Sequence, residues 1–483
     1  MEIEAFVGRN HEIITLNELW NKKKANLVVC RGRRRIGKSR LIKEFAKTAD
    51  CYFEFQGLAP RDGVGSREQL KNFSEQLSKN TGMPVLNLEN WTQAFAVLDS
   101  KIKNTKTVVF LDELSWMAHH EPDFAGKLKI AWDTMFNNHN KLMMVLCGSV
   151  SSWIDKNILN NSDFLGRISL DLQLTDLPLA DCMKFWGKHG DRVSFFEKTK
   201  YLGVSGGVPR YLEEIRPALT AEQNIHRLCF SKDGAMFDEF NKIFNDTFDR
   251  RAKIYRNIVR LLVEGKKSFI QICNKLKKEK NGVISKYLLD LETSGFIARD
   301  HVYSSKGKKT SLSQYRIKDN YIRFYLKYIE PASDKIKSGL YRELDLENLP
   351  AWESIMGYQF QNLILNNLPA VIDAIGINPA NVISASPYFQ SKTSKTLGGC
   401  QIDLLAHTKS GTFYICEMKF RKNITNSVIT EVAEKIRVFK KPKTASVRPV
   451  LIYCGEIAES LKNSDYFAKI ISVEDMVCDI SNF

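Results

Sequence analysis

The stretch Leu27 to Ser39, LVVCRGRRRIGKS, constrains what this chain can fold into more than any other. A β-branched apolar run ends at Gly32, Gly37, Lys38 and Ser39 follow, and LIKEFAKTA then places apolar residues at helical spacing, so strand, loop and helix are expected in succession. A loop that wraps a polyphosphate with its backbone N–H groups needs glycine where the chain turns tightly, and it must open a helix whose N-terminus favours anions. On this reading Gly32, Arg33, Arg34, Arg35, Ile36, Gly37, Lys38, Ser39 and Arg40 form the cradle. Lys38 reaches the β- and γ-phosphates of ATP, and the Ser39 hydroxyl ligates Mg²⁺. The arginine triplet adds positive charge beside the phosphates, although such arginines could equally face solvent.

A second apolar run, TVVFLDE, ends in Asp112 and Glu113. Mg²⁺ held on a polyphosphate needs a carboxylate at the C-terminal end of a neighbouring strand, which makes Asp112 the metal-side candidate. Glu113 is the candidate for polarising the attacking water. The alternative is an ordinary Asp-Glu helix cap. A third buried run, LMMVLCGS, stops at Ser149, whose side chain could sense the γ-phosphate from the strand tip. Strand and helix patterns alternate through residues 25–215, so an α/β fold with a three-layer parallel sheet is expected.

GRRRIGKS, VVFLDE, LCGS, LGR and GGVPRYL, in this order, resemble the archaeal-type ATPases, relatives of the AAA+ and STAND ATPases. The resemblance extends over nearly the whole chain, since members of that family continue with a winged-helix region and a C-terminal nuclease-like domain. It implies that Val7 and Gly8, in the segment FVGR, lie beside the adenine. It also implies that Arg167 approaches the phosphates and that the turn Gly207 to Pro209 belongs to a nucleotide lid.

Composition adds the partner. The chain of 483 residues carries a formal charge of +16. Between Arg251 and Arg342 stand 22 Lys and Arg against 8 Asp and Glu, a local excess of +14. One segment therefore carries most of the charge, and a concentrated basic surface points to a phosphate-backbone partner, the alternative being a solvated lysine-rich face. Within it, IYRNIVRLLVEG, SFIQICNKL and NGVISKYLLDLETSGFI read as three helices, followed by a basic loop, YSSKGKKTSL, between two strands. That order describes a winged helix-turn-helix, in which the third helix enters the major groove of double-stranded DNA and the wing touches phosphates. Lys286 lies on the third helix; Lys306, Lys308 and Lys309 lie on the wing. Winged helices also serve as protein-binding modules, so a signalling ATPase with a protein partner is a further alternative.

In GGCQIDLLAHTKSGTFYICEMKFRK, Gln401 to Ala406 and Thr412 to Phe420 read as a hairpin. Side chains alternate along a strand, so Glu417 and Lys419 share a face, with Asp403 on the strand before. Asp, then Glu-x-Lys on adjacent strands, is similar to the PD-(D/E)XK nucleases, where two carboxylates (here Asp403 and Glu417) hold Mg²⁺ and a lysine stands beside the attacking water. The alternative is a surface hairpin with an ion pair. Nuclease relatives often supply a further acid from the preceding helix, and GYQFQ puts Gln361 at that place.

The expected organisation is a P-loop ATPase core over residues 1–215 and a helical lid or linker over 216–245. A winged helix-turn-helix over 246–335 and an α/β restriction-endonuclease-like domain over 345–483 complete it. The function expected is Mg²⁺-dependent ATP hydrolysis coupled to DNA binding and cleavage, as in mobile-element or defence systems. The rival is an ATP-switched DNA-binding regulator whose last domain is catalytically inactive. Homo-oligomers are compatible with this reading. Ten cysteines occur singly, with no CxxC pair, which suits a reducing compartment and neither a disulfide nor a zinc framework. The absence of a long apolar run and of an apolar stretch in MEIEAFVGRN leads to the expectation of a cytoplasmic protein without a membrane partner.

Overall fold

Strands buried on both faces must be apolar throughout, and the runs LVVC, VVFL and LMMVLC satisfy this. In the computed structural model, which describes residues 6–61, 63–149, 152–248, 251–279, 282–304, 306–341, 345–390 and 399–478, they form the centre of a five-stranded parallel sheet. Its strands are β1 (Asn26–Gly32), β2 (Cys51–Gln56), β3 (Thr107–Asp112), β4 (Leu142–Ser149) and β5 (Ile168–Leu174). Their order is β2-β3-β4-β1-β5. Alternate residues enter two cores: Val109 and Leu111 face one, Val108 and Phe110 the other. Leu16, Trp20, Leu41 and Phe45, from helices Asn10–Trp20 and Lys38–Ala46, close the second face. Phe73, Trp91, Phe95 and Phe124, from three further helices, close the first. The three-layer α/β architecture follows. One detail differs from expectation, because β4 lies between β1 and β3, so the acid-bearing strand is not the direct neighbour of the phosphate-loop strand.

The chain forms two compact units that part after Thr175. The reason is hydrophobic. A continuous core runs from Leu177 to Met476, and helix Phe195–Ser205 contributes Tyr201, Leu202 and Val204 to it. The regions expected as lid, DNA-binding module and last domain therefore share one core. Within this second unit, helices Ala252–Leu261, Phe269–Leu276 and Gly282–Thr293 precede an antiparallel pair, β6 (Ile297–Tyr303) and β7 (Lys309–Ile317). Lys267 bridges antiparallel to Tyr315.

The last part is a mixed sheet of β8 (Val382–Gln390), β9 (Cys400–Thr408), β10 (Thr412–Ile424), β11 (Ser446–Ile457) and β12 (Lys469–Ser472). β9 pairs antiparallel with both β8 and β10, whereas β11 pairs parallel with both β10 and β12. Parallel pairing of β10 with β11 needs a crossover, which helix Ser427–Val438 supplies. Among the described residues no helix is long and apolar enough to cross a membrane.

Candidate functional site

Among the described residues two clusters of chemistry-bearing side chains stand out, one in each unit. In the first, the loop between β1 and helix Lys38–Ala46 turns through Gly37 at φ 90°, and Gly37 is the residue before the first helical turn. Gly32 is required for space: a Cβ there would lie 2.8 Å from the Leu174 carbonyl oxygen. The Lys38 side chain is buried, and its ammonium donates to the carbonyls of Gly32 (3.0 Å) and Arg33 (3.2 Å), inside the loop. Ser39 Oγ donates to Asp112 Oδ2 at 2.7 Å, although 73 residues separate them. The two groups expected to share a metal are thus brought together across the intervening β4.

Glu113 follows in the left-handed region, φ 51°, a conformation that costs about 1–3 kcal/mol in a non-glycine residue and collects at functional sites. Its Oε2 is buried without a hydrogen-bond partner among the described residues. Burial pushes the Glu113 carboxyl up; Lys38 opposes this, Asp112 reinforces it, and Arg34 and the Ser149 backbone N–H oppose it. Ser149, at the tip of β4, is in register with Gly32. We expect Glu113→Gln to retain nucleotide binding and to lose ATP turnover by about a hundredfold or more, since the amide preserves the shape and removes the ionisable carboxylate. Equilibrium nucleotide binding alongside a phosphate-release assay checks this.

Arg9 closes the segment FVGR that is expected beside the adenine, and its own contacts come from the fold. It adopts φ 63° after Gly8, and its guanidinium donates to the Ile36 carbonyl of the loop (3.2 Å) and to the Thr175 carbonyl (2.5 Å). It ties the segment holding Val7 and Gly8 to the phosphate loop.

Arg167 corrects an expectation. It makes a two-pronged ion pair with Asp133, at 2.6 and 2.8 Å, just before β5. Ile168 is level with Leu27 and Leu174 with Gly32, so Arg167 stands at the opposite end of the sheet from the loop, roughly 20 Å away at about 3.3 Å per residue. Pro209 opens helix Pro209–Leu212 in the second unit. A Cβ on Gly207 would meet the Leu177 carbonyl at 2.5 Å, so this turn is set by packing against residues 176–177.

In the second unit, Lys286, Lys306, Lys308 and Lys309 are exposed. Not all of the local positive charge is. Arg323 is buried and donates to the carbonyls of Val263 and Ile317, while Arg316 pairs with buried Asp300 at 3.1 Å and Lys266 lies 3.7 Å from the same carboxylate. These three cations belong to the interior. The β6–β7 pair also packs on the last sheet: Ser386 Oγ donates to the His301 carbonyl at 2.9 Å, and a Cβ on Gly307 would collide with Ile383 Cγ2.

The second cluster lies where β9 and β10 part. The observed strands extend the expected hairpin at both ends, and Leu404 pairs with Cys416, which sets Asp403 beside Glu417. Glu417 is buried and meets Lys419 Nζ at 3.0 Å; Asp403 Oδ2 accepts the Met418 N–H at 2.9 Å. Gln361, from helix Trp352–Leu365, donates to Asp403 Oδ1 at 3.0 Å. Burial and then Glu417 push the Asp403 carboxyl up to about 6, against Lys435, the Met418 N–H and Lys266. Lys435, on helix Ser427–Val438, pairs with Glu417 at 2.5 Å. Sequence reasoning overlooks it, because only the fold carries this helix back over the hairpin. Among the described residues no group of three or more His, Cys, Asp or Glu side chains is placed to hold a metal ion.

A glycine-bounded loop at the end of a parallel strand, a serine on an aspartate from another strand tip and a glutamate behind it define a P-loop ATPase domain of the α/β class. Residues 6–215 match a family described as ATPase domain predominantly from Archaea, so this segment is similar to archaeal-type ATPase domains. The uncharacterized protein MJECL04 of Methanocaldococcus jannaschii is 24% identical over 363 residues, 74% of this chain and 76% of that protein. The uncharacterized ATP-binding protein MJ0423 of the same organism is 51% identical over 43 residues, 9% of this chain and 73% of that protein. Among solved structures, the Walker-type ATPase PABY2304 of Pyrococcus abyssi is similar with a TM-score of 0.49 at 18% identity, covering 66% of this chain and 96% of that one. The ORC2 protein of Aeropyrum pernix has a TM-score of 0.41 at 15% identity, covering 70% and 97%.

Proposed function

We propose that the protein hydrolyses ATP, binds double-stranded DNA through the basic part of its second unit, and cleaves DNA at the Asp403, Glu417 and Lys419 cluster. The observation that carries the ATPase half is the convergence of Lys38, Ser39, Asp112 and Glu113 at the ends of β1 and β3. The Ser39 hydroxyl and the Asp112 carboxylate fit Mg²⁺, which when bound neutralises charge on the β- and γ-phosphates. Lys38 binds the same phosphates through its ammonium. Glu113 directs its unpartnered Oε2 at the attacking water and holds the proton that the water gives up. Val7 and Gly8 flank the adenine, and Ser149 contacts the γ-phosphate.

The DNA half is supported by three helices followed by a strand pair with exposed Lys306, Lys308 and Lys309 at its turn, the order of a winged helix-turn-helix. Affinity for DNA should then fall steeply with salt. Replacing the three lysines together by alanine is expected to lower the slope of log K against log salt by about 2 to 3, close to one per phosphate contact. Titration of a fluorescent duplex at several salt concentrations measures that slope. No change in it removes the loop from the DNA.

Cleavage is supported by Asp403 and Glu417 side by side on adjacent strands, with Lys419 on the Glu417 carboxylate. Incubating the protein with supercoiled and linear DNA, with and without Mg²⁺ and ATP, tests it: the expected result is metal-dependent nicking. Gln361 favours a second reading, an ATP-switched DNA-binding regulator with an inactive last domain, since an amide brings no negative charge to Asp403. In that case the parent protein cuts nothing, and Gln361→Glu gains the activity.

A further inference from the structure

Four carboxylate oxygens line the C-terminal cluster, and each already has a protein donor. Asp403 Oδ1 accepts from the Gln361 amide at 3.0 Å and Oδ2 from the Met418 N–H at 2.9 Å. Glu417 Oε1 meets Lys419 at 3.0 Å, and Oε2 meets Lys435 at 2.5 Å. A carboxylate as buried as Glu417, 3% exposed, must be neutralised where it sits. Two ammonium groups do this here. A divalent cation would do the same, but it needs the lone pairs that Lys435 occupies, and two positive charges a few ångströms apart repel strongly away from bulk water.

The two lysines are not equivalent. Lys419 belongs to β10, two residues beyond Glu417, and is held on its other side by Glu431 at 2.5 Å. Its side chain is 12% exposed, whereas that of Lys435 is 24% exposed. Lys435 reaches in from helix Ser427–Val438, which crosses from β10 to β11. Rotation about its four-carbon stem carries the ammonium to solvent without moving the helix, so Lys435 can leave and Lys419 stays.

We propose that Lys435 is the internal counter-ion of this site: it closes Glu417 when no metal is present and gives up the carboxylate when a divalent cation enters. This rests on reading the cluster as a metal-dependent nuclease site. A DNA phosphate arriving beside the cluster offers the displaced ammonium a new partner. Metal and DNA therefore bind each other's complex more tightly than they bind the free protein, and neither alone opens the site fully. By linkage the coupling is reciprocal.

The test is Mn²⁺ binding to the full chain without nucleotide, followed by electron paramagnetic resonance of the free ion, with and without a phosphorothioate duplex that resists cutting. Lys435→Met is expected to bind Mn²⁺ about tenfold more tightly than the parent and to lose most of the enhancement by DNA, with the gain abolished when Asp403→Ala is added. Lys435→Gln keeps a donor for Glu417 without its charge, and should shift affinity in the same direction if the methionine variant does not fold. Equal affinity in the parent and both Lys435 variants, with Asp403→Ala weakening all of them, overturns the counter-ion role and leaves the metal site standing. Mn²⁺ binding that ignores Asp403→Ala in every background overturns the metal-site reading instead.

Discussion

Lys38→Ala is expected to abolish ATP hydrolysis and to weaken nucleotide binding. The ammonium of Lys38 lies inside the loop, on the carbonyls of Gly32 and Arg33, within the charge environment of Glu113 and Cys147. Lys38 is the first residue of helix Lys38–Ala46, and from there its side chain reaches back into the turn. Losing one preorganised charge-stabilising group typically costs about a hundredfold to a thousandfold in rate. Here the same group also holds the loop's own carbonyls, so loss of affinity is expected alongside. Single-turnover hydrolysis at saturating ATP separates the two effects. Hydrolysis by the Lys38→Ala protein at the parent rate sinks the phosphate-loop assignment.

Asp403→Ala, or Lys419→Ala, should stop DNA cleavage and leave ATP hydrolysis intact. Asp403 is one of two carboxylates that could hold a cation there, and its partner Glu417 is spanned by lysines on both oxygens. Lys419 is the cation fixed by its own strand, and in the proposed chemistry it stabilises the charge that develops at the scissile phosphate. The independence of the ATPase follows from the layout. Ser39, Asp112 and Glu113 lie in the unit that ends at Thr175, and no side chain of the C-terminal sheet is needed to complete that cluster. A drop of about a hundredfold to a thousandfold is resolved easily by plasmid nicking against a malachite-green phosphate assay on the same preparations. Equal loss of both activities would mean that the substitution unfolds the protein or that the two units act as one.

What the chain made legible by itself was whatever is local. The spacing from Gly32 to Ser39 announces a strand-to-helix turn, because glycine conformations and helix starts depend on neighbouring residues. Apolar runs of six to eight residues announce buried strands, and all of β1, β3 and β4 were readable in this way. Glu417 and Lys419 share a face for a reason equally local, the alternation of side chains along β10. Partners distant in the chain were decided only by tertiary structure. The insertion of β4 between β1 and β3, the ion pair that holds Arg167 at the far end of the sheet, and the clamp of Arg9 on Ile36 all depend on which elements pack together. The same is true of charge: the excess between Arg251 and Arg342 is visible by counting, but burial turns Lys266, Arg316 and Arg323 inward, onto Asp300 and backbone carbonyls. Lys435 makes the point most sharply. Eighteen residues from Glu417 in sequence, it reaches that carboxylate only because a parallel β10–β11 pair forces the connecting helix back across the sheet.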